Sequence, residues 1–206
     1  MFRSLSTLSA CALTAGLALT ASAQELTVNG GFETGDTTGW VSFPTANSTF
    51  TVTGDAAGGS WAGNVFNDDL ASSAVIKQAN IGIGVVSPGD IIDISFDAKG
   101  SGTNGGVVFA EFFSELAGGG TSAGGILGGA PLGLTSEYQT FNFQTTAGPD
   151  VSGGVTLQFA VVTGGDTGST SELFVDNVSV VPEPASLALL GLGGVAMLGR
   201  RRRRIA

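Results

Sequence analysis

From residue 90 onward, apolar and polar side chains exchange places at every second position. Ile92, Ile94, Phe96 and Ala98 alternate with Asp93, Ser95 and Asp97. A period of two is the signature of a strand with one buried face. Residues 107–113 (Val-Val-Phe-Ala-Glu-Phe-Phe) are β-branched and aromatic, and 138–143 alternate again around Tyr138, Phe141 and Phe143. Residues 155–162 and 173–180 follow as two further strands. Earlier, 48–53 and 74–78 carry weaker strand patterns. Gly, Asn, Asp and Ser cluster between these runs, as turns require. Many short strands without a soluble amphipathic helix predict an all-β domain, a sandwich or barrel. The glycine-rich stretch 117–133 lacks the Gly-Lys-Ser/Thr ending of a phosphate loop and is expected to be a long loop between strands.

The two ends of the chain follow other rules. Arg3, the uncharged Ala/Leu/Thr-rich run 5–19 and the small-x-small site Ala21-Ser22-Ala23 read as a secretory signal peptide over residues 1–23. A buried core helix and a lipoprotein signal, with Leu8-Ser9-Ala10-Cys11 as its lipobox, are the alternatives. Cys11 is the only cysteine, so a chain cut after Ala23 has no disulfide and no thiol chemistry. At the other end Pro182 and Pro184 precede an apolar, uncharged run. A helix over 185–199 would rise ~22 Å, a short span against a hydrocarbon core of ~30 Å. Arg200, Arg201, Arg202, Arg203 and Arg204 follow it, five of the eight basic residues of the chain. They mark a cytoplasmic stop to translocation, which leaves the preceding domain outside.

The order Pro182-Glu183-Pro184, apolar helix, arginine-rich end resembles a PEP-CTERM sorting signal of Gram-negative bacteria, over residues 181–206. The resemblance implies recognition of Pro182, Glu183 and Pro184 by an exosortase, a membrane transpeptidase-like enzyme. It also implies passage from a membrane-anchored precursor to the cell surface or beyond. A plain C-terminal membrane anchor is the alternative.

Residues 24–180 then form one domain. Only Lys77 and Lys99 stand there against 16 acids, a net charge of about −14. This excludes nucleic acid as a partner, since binding it needs a basic footprint, and favours cations.

Two motifs frame this domain: Leu26-Thr-Val-Asn-Gly-Gly-Phe-Glu33 with Gly39-Trp40 at its start, and Leu173-Phe-Val-Asp-Asn-Val178 at its end. With the strand near Tyr138 they resemble the jelly-roll sandwiches of the galactose-binding-like and carbohydrate-binding-module type. That resemblance implies a single jelly roll, flanked here by the signal helix and the short transmembrane helix. It also implies a structural Ca²⁺ held by Glu33 and Asp176, with Asn29 and Asp36 as further candidate ligands. The residues add their own argument. Asp176 falls in phase with Phe174, Val178 and Val180, and a carboxylate on an apolar face needs a partner. A hard cation is one such partner; backbone N–H groups are another.

A glycan-binding face needs exposed aromatic rings. Trp40 and Tyr138 read as structural, and Trp61, flanked by glycines, is the candidate for ligand contact. With no histidine, and no cysteine after residue 11, Ser-His, Cys-His and zinc hydrolysis are excluded. Asp68-Asp69 and Glu111…Glu115 are available as acid pairs, but adjacent strand residues point to opposite faces. The expectation is an exported, non-catalytic protein that interacts with extracellular polysaccharide. The alternative is a structural or adhesive matrix protein without specific glycan binding.

Overall fold

A computed structural model describes residues 23–183, a compact unit of two five-stranded sheets. The strands are β1 (Val41–Phe43), β2 (Ser48–Thr53), β3 (Ala62–Asn67), β4 (Ser73–Ile81), β5 (Ile91–Thr103), β6 (Val107–Glu115), β7 (Thr121–Ile126), β8 (Gln139–Thr146), β9 (Val155–Val162) and β10 (Thr170–Pro182). One sheet has the order β1-β4-β9-β6-β7, the other β2-β3-β10-β5-β8, and every pairing is antiparallel. The chain passes repeatedly from one sheet to the other, which gives the expected jelly-roll sandwich. The expected signal peptide up to residue 22, Pro184 and the apolar and arginine-rich tail lie outside the described residues. No helix among the described residues is long and apolar enough to cross a membrane.

The alternation read from sequence sets the inner faces. Ile92, Ile94, Phe96 and Ala98 of β5 are buried, as are Leu173, Val175, Val178 and Val180 of β10. They face Ile76, Val108, Ala110, Phe112, Leu157, Phe159 and Val161 of the other sheet. A run of aromatic contacts crosses the interior. Phe96 stacks on Phe141 at 5.4 Å and meets Phe159 edge-on at 4.9 Å; Phe159 touches Trp40 at 6.1 Å; Trp40 stacks on Phe32 at 5.3 Å. The opening motif thus supplies core side chains, and Trp40 is structural as its position suggests.

That motif also completes a sheet. β3 pairs with β10 only from Ser171 to Val175. Beyond that point the opening segment takes over the same edge: Leu26 N donates to Val180 O at 2.9 Å and Val178 N to Gly30 O at 3.0 Å. A Cβ on Gly30 would lie 2.0 Å from Val178 O, so only glycine permits this approach. The buried amide of Gln78 closes the other side of the segment, accepting from Val28 N at 2.8 Å and donating to Val28 O at 2.6 Å.

Two expectations need correction. Residues 121–126, within the glycine-rich stretch, are not loop but form β7 along β6. β1 and β3 are further strands that sequence patterning did not single out, because they are short or glycine-containing.

Gly63 of β3 seats the ring of Phe32, whose Cζ would be 2.5 Å from an added Cβ. Gly63→Ala should therefore destabilise the domain by about 1–3 kcal/mol through overpacking, lowering Tm on the order of 5 °C in a thermal melt followed by circular dichroism. Glu25 latches the segment to β10, accepting from Thr27 N at 2.8 Å and Val180 N at 3.0 Å, and from the Ser179 hydroxyl. Partial burial pushes its carboxyl up, but the bonds from Ser179, Thr27 and Val180 outweigh burial and hold it below the ordinary glutamate value. A depressed carboxylate contributes stability above its unfolded pKa and loses it as pH falls through the folded one. Denaturant melts between pH 6 and 3 should show this acid-sensitive component in the native protein and less of it in Glu25→Gln.

Candidate functional site

The closing motif carries a bulge. Asp176 pairs with Asp97 and Ser179 with Ser95, so β10 has one residue more than β5 between these points. Asn177 absorbs it with φ of 50°, a left-handed conformation that asparagine tolerates. Leu173 and Val175 face the core before the bulge, Val178 and Val180 after it. Asp176 therefore shares the outer side of the sheet with Phe174 rather than the phase of Val178 and Val180.

Asp176 is nonetheless fully buried, because the loop before β3 roofs it. Its Oδ2 accepts from Ala57 N at 2.9 Å and Gly58 N at 3.0 Å, and its Oδ1 from Asn177 N at 2.7 Å. Glu33 grips the same loop, its Oε1 accepting from Ser60 N at 2.8 Å and Trp61 N at 3.0 Å. The structure thus brings Glu33 and Asp176 to one loop, each holding a pair of its backbone amides. Gly31 lies between them. An added Cβ there would meet Asp176 Oδ1 at 3.7 Å, Glu33 Cγ at 3.7 Å and Asn177 Oδ1 at 3.8 Å. Two of these three atoms, Asp176 Oδ1 and Asn177 Oδ1, are oxygens of the kind a hard cation takes, while Glu33 turns its Cγ to Gly31 and its carboxylate to Gly59. Among the described residues no three Asp, Glu, His or Cys side chains gather at one point, so a cation here would depend on amide and carbonyl oxygens as well. Asn29 and Asp36 are engaged elsewhere. Asn29 Nδ2 donates to Asp36 O and Thr38 O, and Asp36 Oδ1 accepts from Thr34 and Thr38. Those bonds hold the Asp36 carboxyl below its ordinary value.

Nearby on the same outer surface, Lys99 bonds Asp55 at 2.6 Å and lies over the rings of Tyr138 and Phe174, at 4.8 and 5.0 Å. Tyr138 donates to Asp55 O at 2.6 Å. Burial, then the charges of Asp55, Asp176 and Asp97, push its phenol above the ordinary tyrosine range, so it stays protonated. The loop over Asp176 is fastened on this flank too. Trp61 ends the loop with 38 % of its surface exposed, and its indole runs beside Gly35.

The outer face of the other sheet is different in kind. Phe43, Val75, Ala160 and Phe109 lie opposite one another across β1, β4, β9 and β6. At ~4.8 Å per strand this row spans about 14 Å. Phe43 is 51 % exposed. The next row reads Val41, Lys77, Gln158, Glu111, Ile126 across all five strands, and Val41 and Ile126 are exposed. Gln158 donates to Glu111 at 2.6 Å and Lys77 sits 4.9 Å above the Phe43 ring. Two phenylalanines, with Val75 and the buried Ala160 between them, thus lie beside a row of hydrogen-bonding groups on this face. This face was missed in the sequence, although residues 107–113 held its signal: both parities of that strand are apolar. Of the two acid pairs, Glu111 is tied to Gln158, and Asp69 accepts from Ala46 N at 3.2 Å.

Pro182 and Glu183, the first two residues of the sorting triplet, are the end of the folded domain. Pro182 is buried opposite Ile92, and Glu183 N donates to Ile91 O at 2.8 Å.

Residues 180–204 match the PEP-CTERM protein-sorting motif. No curated protein matches the sequence. In fold the domain is similar to the enzymatically active domain of tailspike protein 4 of bacteriophage CBA120, with TM-score 0.57 and 17 % identity over 76 % of this chain. This chain spans only 21 % of that one. It is also similar to the CBM22-1 xylan-binding domain of Paenibacillus barcinonensis Xyn10C, with TM-score 0.52, 15 % identity and coverage of 74 % of this chain and 90 % of that one. TmCBM61, solved with β-1,4-galactotriose, gives TM-score 0.52 and 19 % identity over 78 % and 99 % of the two chains. The chain therefore joins a jelly-roll domain with the fold of carbohydrate-binding modules to a PEP-CTERM sorting motif, which implies an exported, surface-sorted protein processed by an exosortase.

Proposed function

We propose that the exported domain is a non-catalytic module that binds extracellular polysaccharide across the outer face of the β1-β4-β9-β6-β7 sheet. The observation that carries this reading is the row Phe43–Val75–Ala160–Phe109 beside the row Lys77–Gln158–Glu111. A pyranose ring has an apolar C–H face and a polar rim. Aromatic side chains receive the first and fixed polar groups the second. A net charge of about −14 on the domain disfavours a polyanion and favours a neutral glycan. The fold shared with carbohydrate-binding modules supports this reading. Trp61, on the loop over Asp176, offers a second and smaller platform. In the same reading, the tail anchors the precursor in the inner membrane until an exosortase processes it.

Affinity electrophoresis of the tail-less domain through gels containing neutral β-1,4-linked polysaccharides tests the assignment. Retardation is expected. Phe43→Ala/Phe109→Ala should weaken it at least about tenfold, equivalent to ~1.4 kcal/mol, whereas Trp61→Ala should leave most of it. Retardation unchanged in the double variant but lost in Trp61→Ala would move the site to the loop. Self-association through the aromatic row without retardation would favour the matrix-protein reading.

We propose also that Glu33 and Asp176, with Asn177 Oδ1, hold a structural Ca²⁺ in the space beside Gly31. The ion would fasten the opening segment, the roofing loop and β10 together in a chain with no disulfide. A melt at a calcium concentration of ~100 times Kd should show about 2.7 kcal/mol of added stability, roughly 5–10 °C for this size, reversed by chelator. Asp176→Asn keeps only one of the two acceptor oxygens, so its NH2 must face either the Ala57 and Gly58 amides or the Asn177 amide, and it should destabilise the domain even with chelator present, by about 1–3 kcal/mol. The calcium increment should disappear in that variant. Equal Tm with calcium and with chelator in the native chain would leave the backbone amides as the only partners of these carboxylates.

A further inference from the structure

The sorting motif overlaps the fold. β10 runs on through Pro182, and Val181 and Pro182 pair with Asp93 and Ile92 of β5. Glu183 continues the ladder with its amide on Ile91 O. Its carboxylate accepts from Gln144 Nε2 at 3.0 Å, and the same amide group reaches Asp93 Oδ1 at 3.0 Å. The position suits proline. Glu183 makes the main-chain bond to Ile91, so its neighbour Pro182 falls where an N–H would point away from β5, and the ladder loses nothing. Two residues of the recognition triplet are therefore held by the domain: one by burial of its ring, the other by a main-chain and a side-chain hydrogen bond.

An enzyme that reads Pro182, Glu183 and Pro184 must contact these same groups. We propose that the folded domain competes with the exosortase for the motif, so that the last turn of the ladder, 181–183, must open from β5 before the motif is read. Strand ends open at far lower free energy than the core, so the domain slows recognition without abolishing it. Completion of the fold then sets the pace of processing, with Gln144 and the Ile91 carbonyl as the competing partners for Glu183.

The full chain is tested in cells that contain a PEP-CTERM-processing exosortase, with loss of the tail followed by pulse-chase and immunoblot. Inserting Gly-Ser-Gly-Ser between Val181 and Pro182 moves the triplet off the sheet. If the native end is open in about one molecule in ten, the insertion speeds tail loss about tenfold, since apparent affinity scales with the competent fraction. Gln144→Ala should shift it the same way by a smaller factor. Asp93→Cys/Val181→Cys joins directly opposed positions, whose separation in an antiparallel pair suits a disulfide. The oxidised form should lose its tail more slowly than the native chain, and a reductant should restore the rate. Equal rates in native, insertion and oxidised cysteine forms would overturn the proposal. So would tail loss in none of them, which would show that the motif is not read at all. Circular dichroism of each variant, with the tail removed, separates these outcomes from misfolding.

Discussion

Strand β10 is the element on which the rest of the domain depends. It is paired with β5 along nearly its whole length, and its other edge is shared between β3 and the opening segment. One inserted residue makes that sharing possible. The bulge at Asp176–Asn177 turns the Asp176 carboxylate outward while keeping Leu173, Val175, Val178 and Val180 on the core side. The outward carboxylate would be costly if left alone under a loop. It is instead the acceptor for Ala57 and Gly58 amides, and so fixes the loop that buries it. Glu33 repeats the device on the far end of that loop. Opening segment, loop and last strand are thereby tied through two carboxylates in a domain that, cut after Ala23, has no disulfide.

This arrangement gives the two outer faces different characters. On the β10 side the loop, the Lys99–Asp55 pair and Tyr138 close over Asp176, while Asp93, Asn142 and Gln144 of the same face stay exposed. On the opposite side the short edge strand β1 adds Val41 and Phe43 as exposed apolar side chains, beside Thr156 and Ala160 of β9, which are buried. Phenylalanine at 51 % exposure, aligned with Phe109 across two intervening strands, is unusual on a face that only meets water. Placed beside Lys77, Gln158 and Glu111, it has the mixed character that sugar rings require.

Much of this was legible in the sequence. Period-two alternation located β5, β8 and β10, and the resemblance carried by the framing motifs implied the jelly roll. What escaped reading has physical causes. A bulge adds one residue without altering composition, so counting parity from Val178 back to Asp176 assigned the carboxylate to the wrong side. β7 is built from Thr121–Ile126, where two glycines weaken the strand pattern; Phe113 occupies the space above Gly124, and Gly125 faces open space. The aromatic row joins residues more than sixty positions apart, and Phe43 belongs to a strand of three residues. Trp61 is legible as an exposed ring because glycines flank it, whereas the alignment of Phe43 with Phe109 emerges only once the strands are paired.

The proposed glycan contact on the β1-β4-β9-β6 surface is open to direct mapping. Amide chemical-shift mapping of the isotope-labelled domain during titration with neutral β-1,4-linked oligosaccharides addresses it residue by residue. The account predicts that perturbed amides cluster at 41–43, 75–77, 109–113 and 158–160, on the β1-β4-β9-β6 surface. Perturbations confined to the loop of Ala57 to Trp61, or a spectrum unmoved by any of these sugars, would contradict it.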